Sequence, residues 1–133
     1  MLVTMEYRPY EREDLSGVLA LCEDEGWPSL PRDPERANRV FTNPGVTTYV
    51  AIGRSGVLGF IYLLSDGEVQ AYIALMAVSP EQRCQGIGTA LIEAAFAACG
   101  AERVDLLSAA DGFYENLPHQ SWSGYRLHPP FIV

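Results

Sequence analysis

The chain has 133 residues, of which 48% are apolar and 20% charged, and this length and balance predict one globular domain with a hydrophobic core, spanning residues 1–133. Its nine basic residues, all of them arginine, face seventeen acidic ones, which leaves a formal net charge of −8. A nucleic-acid partner is therefore not expected, because binding to a phosphate backbone needs clustered cations.

The N-terminal third of the chain predicts one strand followed by two helices. Residues 2–9 alternate loosely and predict the strand. The helical spacing of apolar residues after Glu11 predicts a helix that ends near Gly26. Asp33 followed by proline is typical of a helix N-cap and first helical position, so it predicts a short second helix that runs to about Phe41.

The middle of the chain contains three β-rich runs at residues 46–53, 57–64 and 69–78. Turns that contain Gly56 and Gly67 separate them, and this arrangement predicts an antiparallel meander. The third run is nearly all apolar, which indicates a strand buried on both faces. It holds the longest apolar stretch of the chain, which is too short to cross a bilayer, so no membrane contact is expected.

The last third predicts the parallel part of the sheet. Residues 86–99 carry one apolar stripe at helical spacing, and residues 103–107 form a short strand reached through that helix, hence parallel to the third meander strand. A short helix at 111–117 and an extended piece at 124–127 follow. The predicted fold class is α+β, a mixed central sheet of an antiparallel meander plus one parallel strand, flanked by helices.

The segment between the third meander strand and the following helix carries a chemical signal. It contains Arg-x-x-Gly-x-Gly, with Arg83, Gly86 and Gly88 at the fixed positions. Glycine has no Cβ, so the main chain can approach a ligand closely, and the first turn of a helix offers unpaired N–H donors and partial positive charge. These features predict a cradle for a diphosphate, with Arg83 as a side-chain clamp.

The glycine-rich segment could also be a helix start that binds nothing, or one of two further kinds of nucleotide-binding loop. A Walker loop needs a lysine, which the chain lacks. A dinucleotide-binding fold places its glycine loop after the first strand, not past the middle of the chain. The strand before the loop, the helix after it and the parallel strand beyond favour the binding of an anionic cofactor.

Over residues 2–128, and most specifically over 74–91, the chain resembles the GCN5-related N-acetyltransferase (GNAT) superfamily. The resemblance implies acetyl-CoA as cofactor. It implies that main-chain groups of the third meander strand pair with the pantetheine arm and that N–H groups of the loop and helix start hold the diphosphate. The strand residues are Met76, Ala77 and Val78; the loop and helix residues are Arg83, Cys84, Gln85, Gly86, Ile87, Gly88 and Thr89.

Two catalytic residues are candidates. Phe113-Tyr114-Glu115 resembles a segment of the family, which implies that Tyr114 protonates the departing CoA thiolate. The family often carries a glutamate on the third meander strand as base, but Tyr72 occupies that position here. Alternation along the strand predicts that Glu68 and Tyr72 share a face with Met76, which makes Glu68 the candidate base. A backbone N–H near Ala77 or Val78 is the candidate stabiliser of oxygen charge.

The predicted reaction is the direct attack of a primary amine on the thioester, which makes the chain an N-acetyltransferase. Trp27, Tyr72 and Trp122 are the candidate acceptor-binding residues, and the acidic balance favours a cationic small-molecule or peptide amine. One alternative is a CoA-binding module of the same fold without turnover, as a sensor or structural subunit. Another is a nucleotide-binding module.

The cysteines and histidines bear on the compartment and on metals. Cys22, Cys84 and Cys99 are odd in number and widely spaced, which disfavours a disulfide scaffold or zinc site and favours the reducing cytoplasm. The N-terminus lacks the pattern of a signal peptide. His119 and His128 lack companion ligands, so no metal is expected. A homodimer formed through a sheet edge remains an alternative to a monomer.

Overall fold

The computed structural model describes residues 4–108 and 112–130, and its centre is a five-stranded sheet in the order β1-β2-β3-β4-β5. The strands are β1 (Glu6–Pro9), β2 (Val46–Gly53), β3 (Gly56–Ser65), β4 (Gln70–Val78) and β5 (Arg103–Leu106). β1 to β4 pair antiparallel and β5 pairs parallel to β4. The predicted meander and its parallel neighbour are confirmed.

Three α-helices flank the sheet: α1 (Leu15–Asp24), α2 (Pro34–Phe41) and α3 (Ile87–Cys99). A 3-10 turn at Arg12–Asp14 leads into α1. The predicted cap of α2 is present, because the Asp33 carboxylate accepts a hydrogen bond from the Arg36 N–H at 3.2 Å. All three predicted helices before β5 are therefore confirmed.

Two hydrophobic clusters, one on each face of the sheet, hold the layers together. On one face α1 and α2 cover β2, β3 and β4, with Phe41 and Phe60 at the centre of the cluster. On the other face α3 packs Leu91 and Ala95 against Ile61 and other sheet residues. The side chains of β3 alternate between the two clusters, as a strand buried on both faces requires.

A β-bulge interrupts the pairing of β4 with β3. Tyr62 lies opposite Leu75 and Leu63 opposite Ile73, which leaves Ala74 as an extra residue without a partner in β3. An extra residue in one strand locally bends it and reverses the alternation of its side chains beyond that point. Even-numbered residues of β4 therefore face α1 and α2 before Ala74 and face α3 after it.

The bulge overturns one prediction about side-chain faces. Tyr72 lies on the face toward α1 and α2, whereas Met76 and Val78 pack on the face toward α3. The predicted common face of Glu68 and Tyr72 with Met76 is therefore wrong. The prediction assumed unbroken alternation, and alternation fails at Ala74.

The C-terminal part has less regular structure than the sequence predicts. Of the short helix predicted at 111–117, Asp111 lies outside the described residues, and the rest contains only a 3-10 turn at Tyr114–Asn116. Residues 124–127 form no strand, so β5 is the last strand of the sheet in the described structure. Within 4–108 and 112–130, no helix has the length and apolar character needed to cross a membrane.

Candidate functional site

The edge of β4 that faces β5 is only half covered. β5 pairs with β4 from Gln70 to Ile73 and stops at Leu106. From Ala74 to Val78 no described strand pairs with this edge. Main-chain groups along it therefore have no strand partner, and a ligand that lies beside β4 as an added strand can pair with them.

The register of β3 and β4 decides which residues present their main-chain groups at this open edge. Ser79 donates its N–H to the Leu58 carbonyl at 2.7 Å, so Ser79 faces β3. Because main-chain direction alternates along a strand, Ala77 also faces β3, while Met76 and Val78 face the open edge. Met76 and Val78 therefore direct their main-chain groups as pairing with a pantetheine arm requires, whereas Ala77, the third residue predicted to pair with it, does not.

A loop with two left-handed residues joins β4 to α3. After a 3-10 turn at Pro80–Gln82, the backbone adopts positive φ at Cys84 (64°) and at Gly86 (81°). The first α-helical hydrogen bond of α3 runs from the Ala90 N–H to the Gly86 carbonyl at 3.0 Å. The N–H groups before Ala90 therefore have no helical acceptor and lie at the positive end of the helix.

The two glycines of the motif have different roles. A Cβ on Gly86 would meet no heavy atom beyond its chain neighbours within 4 Å, so the main chain is open to a ligand there. A Cβ on Gly88 would lie 2.9 Å from Phe113 Cζ and 3.4 Å from Met76 Cε. Gly86 fits the predicted cradle, whereas Gly88 makes room for the Phe113 ring. Open space and a row of amide donors suit a diphosphate.

Tyr114 is linked to this helix start through Phe113. Its ring packs at 81° to that of Phe113 with centroids 4.9 Å apart, and Phe113 in turn covers Gly88. Burial raises the pKa of Tyr114 above its ordinary value of 10.0, so the phenol keeps its proton at neutral pH. A half-buried, protonated phenol next to the cradle is available as a proton donor.

Arg83 does not point into the cradle. Its Nη2 lies 2.5 Å from Glu25 Oε1, and its Nε donates to the Val78 carbonyl at 3.3 Å. Glu25 directly follows α1. The sequence carried no signal for this ion pair, because the two residues are 58 positions apart and neither belongs to a motif that contains the other.

Two of the three candidate acceptor residues share a face of the sheet. Trp27 is half-buried against the cluster under α1 and α2, and Tyr62 packs against the same cluster. Burial and, after it, the nearby Cys22 and Tyr72 raise the pKa of Tyr62. Tyr72 lies opposite Leu64, two residues along β3 from Tyr62, so both tyrosines are on the face that also holds Trp27.

Trp122 lies elsewhere. It is 77% exposed and stands with Leu106, Leu107 and Gly124 beside the free edge of β5. The described structure therefore does not bring Trp122 into one pocket with Trp27.

Glu68 is also separate from the cradle. It is exposed in the loop between β3 and β4, where its N–H donates to Asp66 Oδ1 at 2.8 Å. The nine-residue strand β4, about 25 Å long, lies between the turn that holds Glu68 and the loop that holds the cradle. In the same described residues no three His, Cys, Asp or Glu side chains cluster as a metal site, and the three cysteines are unpaired.

Comparisons with known proteins find similarity over this region. The family model of the acetyltransferase (GNAT) domain matches residues 44–117. An acetyltransferase from Trypanosoma brucei is 25% identical, with a TM-score of 0.77 over 94% of this chain and 99% of its own. A candidate acetyltransferase from Exiguobacterium sp. 255-15 is 31% identical, with a TM-score of 0.66 over 93% of this chain and 89% of its own.

A third structure shares the fold at lower identity. It is an acetyltransferase-like protein from Clostridium acetobutylicum solved with acetyl-CoA, 16% identical, with a TM-score of 0.70 over 94% of this chain and 96% of its own. No curated protein matches the sequence significantly.

Proposed function

This chain belongs to the GNAT acetyltransferase family, and from that premise we propose that it transfers the acetyl group of acetyl-CoA to a primary amine of a cationic acceptor. Acetyl transfer is the general activity of the family. The observation that carries the finer proposal is the open edge of β4 directly next to the N-terminus of α3. The main-chain groups that can pair with an extended pantetheine arm therefore lie directly beside those that can bind the diphosphate.

The cofactor is held by main-chain groups. Val78 pairs with the pantetheine arm through its N–H and carbonyl groups at the open edge of β4, and Met76 pairs with it through its carbonyl. The amides from Arg83 to Thr89 bind the diphosphate, with Gly86 leaving room for close approach. Acetyl-CoA supplies the activated thioester.

The β4 edge also stabilises charge on the carbonyl oxygen that the amine attacks. Of the two predicted donors, Ala77 directs its N–H toward β3 and Val78 uses its N–H for the arm, so the N–H of Met76, farther along the open edge from the diphosphate, is the donor in this proposal. A fixed amide directed at a developing oxyanion stabilises it by about 3–4 kcal/mol. The donor belongs to the strand itself, so no side chain has to move for it to act.

Tyr114 donates the proton that the departing thiolate needs. Its raised pKa keeps the phenol protonated through the neutral range. A general acid of this kind contributes about 100- to 10,000-fold to a rate. The side chain is held in place by Phe113, whose ring rests on Gly88.

The amine loses its proton to solvent rather than to a carboxylate on β4. Tyr72 stands at the position of the family's strand glutamate, and Glu68 lies in the hairpin loop before β4, at the opposite end of that strand from the cradle. An ordinary amine has a pKa of about 10.4, so only a small fraction is unprotonated at neutral pH. The proposal therefore leaves Glu68 out of the mechanism and makes the free amine the reacting form.

The acceptor approaches from the face that carries α1 and α2. Trp27 and Tyr72 lie on this face, and the net charge of −8 attracts a cationic small molecule or peptide amine. Trp122 is not part of this pocket in the proposal, because it stands beside β5.

The test is release of CoA from acetyl-CoA in the presence of a panel of amines, with wild type, Tyr114→Phe and Tyr125→Phe compared. Tyr125 is 83% exposed, so its variant controls for the loss of a hydroxyl. We expect turnover in wild type and Tyr125→Phe and a loss of at least about 100-fold in Tyr114→Phe. Equal rates in all three proteins would remove Tyr114 as the acid. Binding of CoA without turnover on any amine would instead support a CoA-binding module.

A further inference from the structure

The ion pair between Arg83 and Glu25 occupies groups that both halves of the proposed reaction need. Arg83 comes from the loop that would bind the diphosphate, and Glu25 follows the end of α1, on the face where the acceptor would approach. The Glu25 side chain is 27% exposed and that of Arg83 52% exposed. Both side chains of the pair are therefore partly accessible to solvent.

Arg83 occupies a main-chain carbonyl that the proposed cofactor would use. Its Nε donates to the Val78 carbonyl, which faces the open edge of β4. A pantetheine arm that pairs with this edge competes for the same carbonyl. A diphosphate on the neighbouring amides is at the same time a stronger partner for a guanidinium than a single carboxylate. Occupation of the cradle thus favours the departure of Arg83 from Val78 and from Glu25.

Glu25 depends on Arg83 for its neutralisation. It stands at the negative end of the α1 dipole, directly after Glu23 and Asp24, and the last turn of α1 contains no basic residue. Among the described ion pairs, Arg83 is the only cation that contacts Glu25. Once Arg83 leaves, the Glu25 carboxylate is an unpaired anion that favours another cation.

The surroundings of Glu25 are those of an acceptor pocket. The Glu25 N–H donates to the Leu21 carbonyl at 3.2 Å and the Trp27 N–H to the Cys22 carbonyl at 2.9 Å, so Glu25 lies between the end of α1 and Trp27. Cys22 is buried in the cluster against which Trp27 and Tyr62 pack. Glu25 therefore borders the aromatic face of the sheet rather than open solvent.

We propose that Glu25 is the carboxylate that binds an ammonium group of the acceptor, and that it becomes available when the cofactor's diphosphate takes Arg83 from it. This inference rests on the proposed function and adds to it a specificity residue and an order of binding. Cofactor and cationic acceptor then bind cooperatively, because each favours the state in which Arg83 and Glu25 are apart.

Calorimetric titration tests the cofactor half, with CoA added to wild type, Glu25→Gln and Glu23→Gln. Glu23→Gln removes the same charge from the same end of α1 without touching the ion pair, so it is the matched control. An exposed ion pair is worth about 0.2–1 kcal/mol, so we expect Glu25→Gln to bind CoA about 1.4- to fivefold more tightly than Glu23→Gln. Equal dissociation constants in the two variants would overturn the proposal.

Binding of 1,4-diaminobutane tests the acceptor half. Wild type should bind it more tightly with saturating CoA than without, and the gain should persist in Glu23→Gln and disappear in Glu25→Gln. Equal binding of the diamine with and without CoA in wild type overturns the inference alone if wild type still binds CoA and releases it from acetyl-CoA. A wild type that neither binds CoA nor turns over overturns the proposed function as well.

Discussion

Substitution of Gly86 by alanine tests the cradle with an internal control. Gly86 and Gly67 have the same φ of 81°, and a Cβ on either would meet no heavy atom beyond its chain neighbours within 4 Å. Gly86 lies in the loop before α3, whereas Gly67 lies in the turn between β3 and β4. The variants Gly86→Ala and Gly67→Ala therefore impose the same backbone strain at two ends of the molecule.

The two variants should have equal stability and unequal affinity. A non-glycine residue in the left-handed region costs about 1–2 kcal/mol, so both should unfold at a similarly lowered temperature. In Gly86→Ala the new methyl group lies where the diphosphate would approach. The loss of one hydrogen bond to a charged group costs about 1.5–3 kcal/mol, which corresponds to a CoA dissociation constant about 10- to 150-fold higher.

Differential scanning fluorimetry measures the stability of the two variants, and calorimetric titration with CoA measures their affinity. We expect Gly67→Ala to bind CoA like wild type. If Gly86→Ala also binds CoA with wild-type affinity while showing the same thermal shift, the diphosphate does not lie against this glycine and the cradle assignment is refuted.

Three further predictions concern pH, the cysteines and a buried ion pair. With a simple amine, kcat/KM should rise about tenfold per pH unit below the amine's pKa of about 10.4. Because burial raises the pKa of Tyr114, kcat/KM should fall again only above about pH 10. A plateau of kcat/KM below about pH 8 would instead indicate that a group of the protein acts as the base. At about pH 8, iodoacetamide should alkylate exposed Cys84 and spare buried Cys22, because burial raises the pKa of the Cys22 thiol to about 11. CoA should slow the reaction at Cys84, and mass spectrometry that finds Cys22 modified first would contradict the prediction. Asp14→Ala removes the buried carboxylate that Arg8 contacts at 2.8 and 2.9 Å, while Arg8 itself is partly exposed and keeps Glu6 at 3.6 Å. Urea unfolding should report a loss of about 1.5–3 kcal/mol, as for a hydrogen bond to a charged group, whereas a loss below about 0.5 kcal/mol would mean that the pair contributes little.

The order of strands and helices could be predicted from the sequence because each element had a local signal. Alternation and glycine turns marked the meander, Asp33 and Pro34 marked the start of α2, and the apolar stripe of 86–99 marked α3. The crossover helix fixed the parallel direction of β5. These signals lie within a few residues of the elements that they define.

The details that shape the candidate site had no such local signal. Nothing about Ala74 marks it as a bulge, since an alanine needs no unusual backbone, yet the extra residue moves Tyr72 to the opposite face from Met76. The contact of Arg83 with Glu25 depends on how α1 lies across the sheet. Tertiary packing determines both the bulge and the ion pair, and the alternation of side chains along a single strand carries no information about either.

The assignment of the cofactor site can be tested directly by nuclear magnetic resonance on the ¹⁵N-labelled chain titrated with CoA. The proposed function predicts saturable shifts in the amides from Arg83 to Thr89 and in those of Met76 and Val78, with little change in the turn at Gly67. Saturable binding that leaves those amides unmoved, or no shift at millimolar CoA, would contradict it.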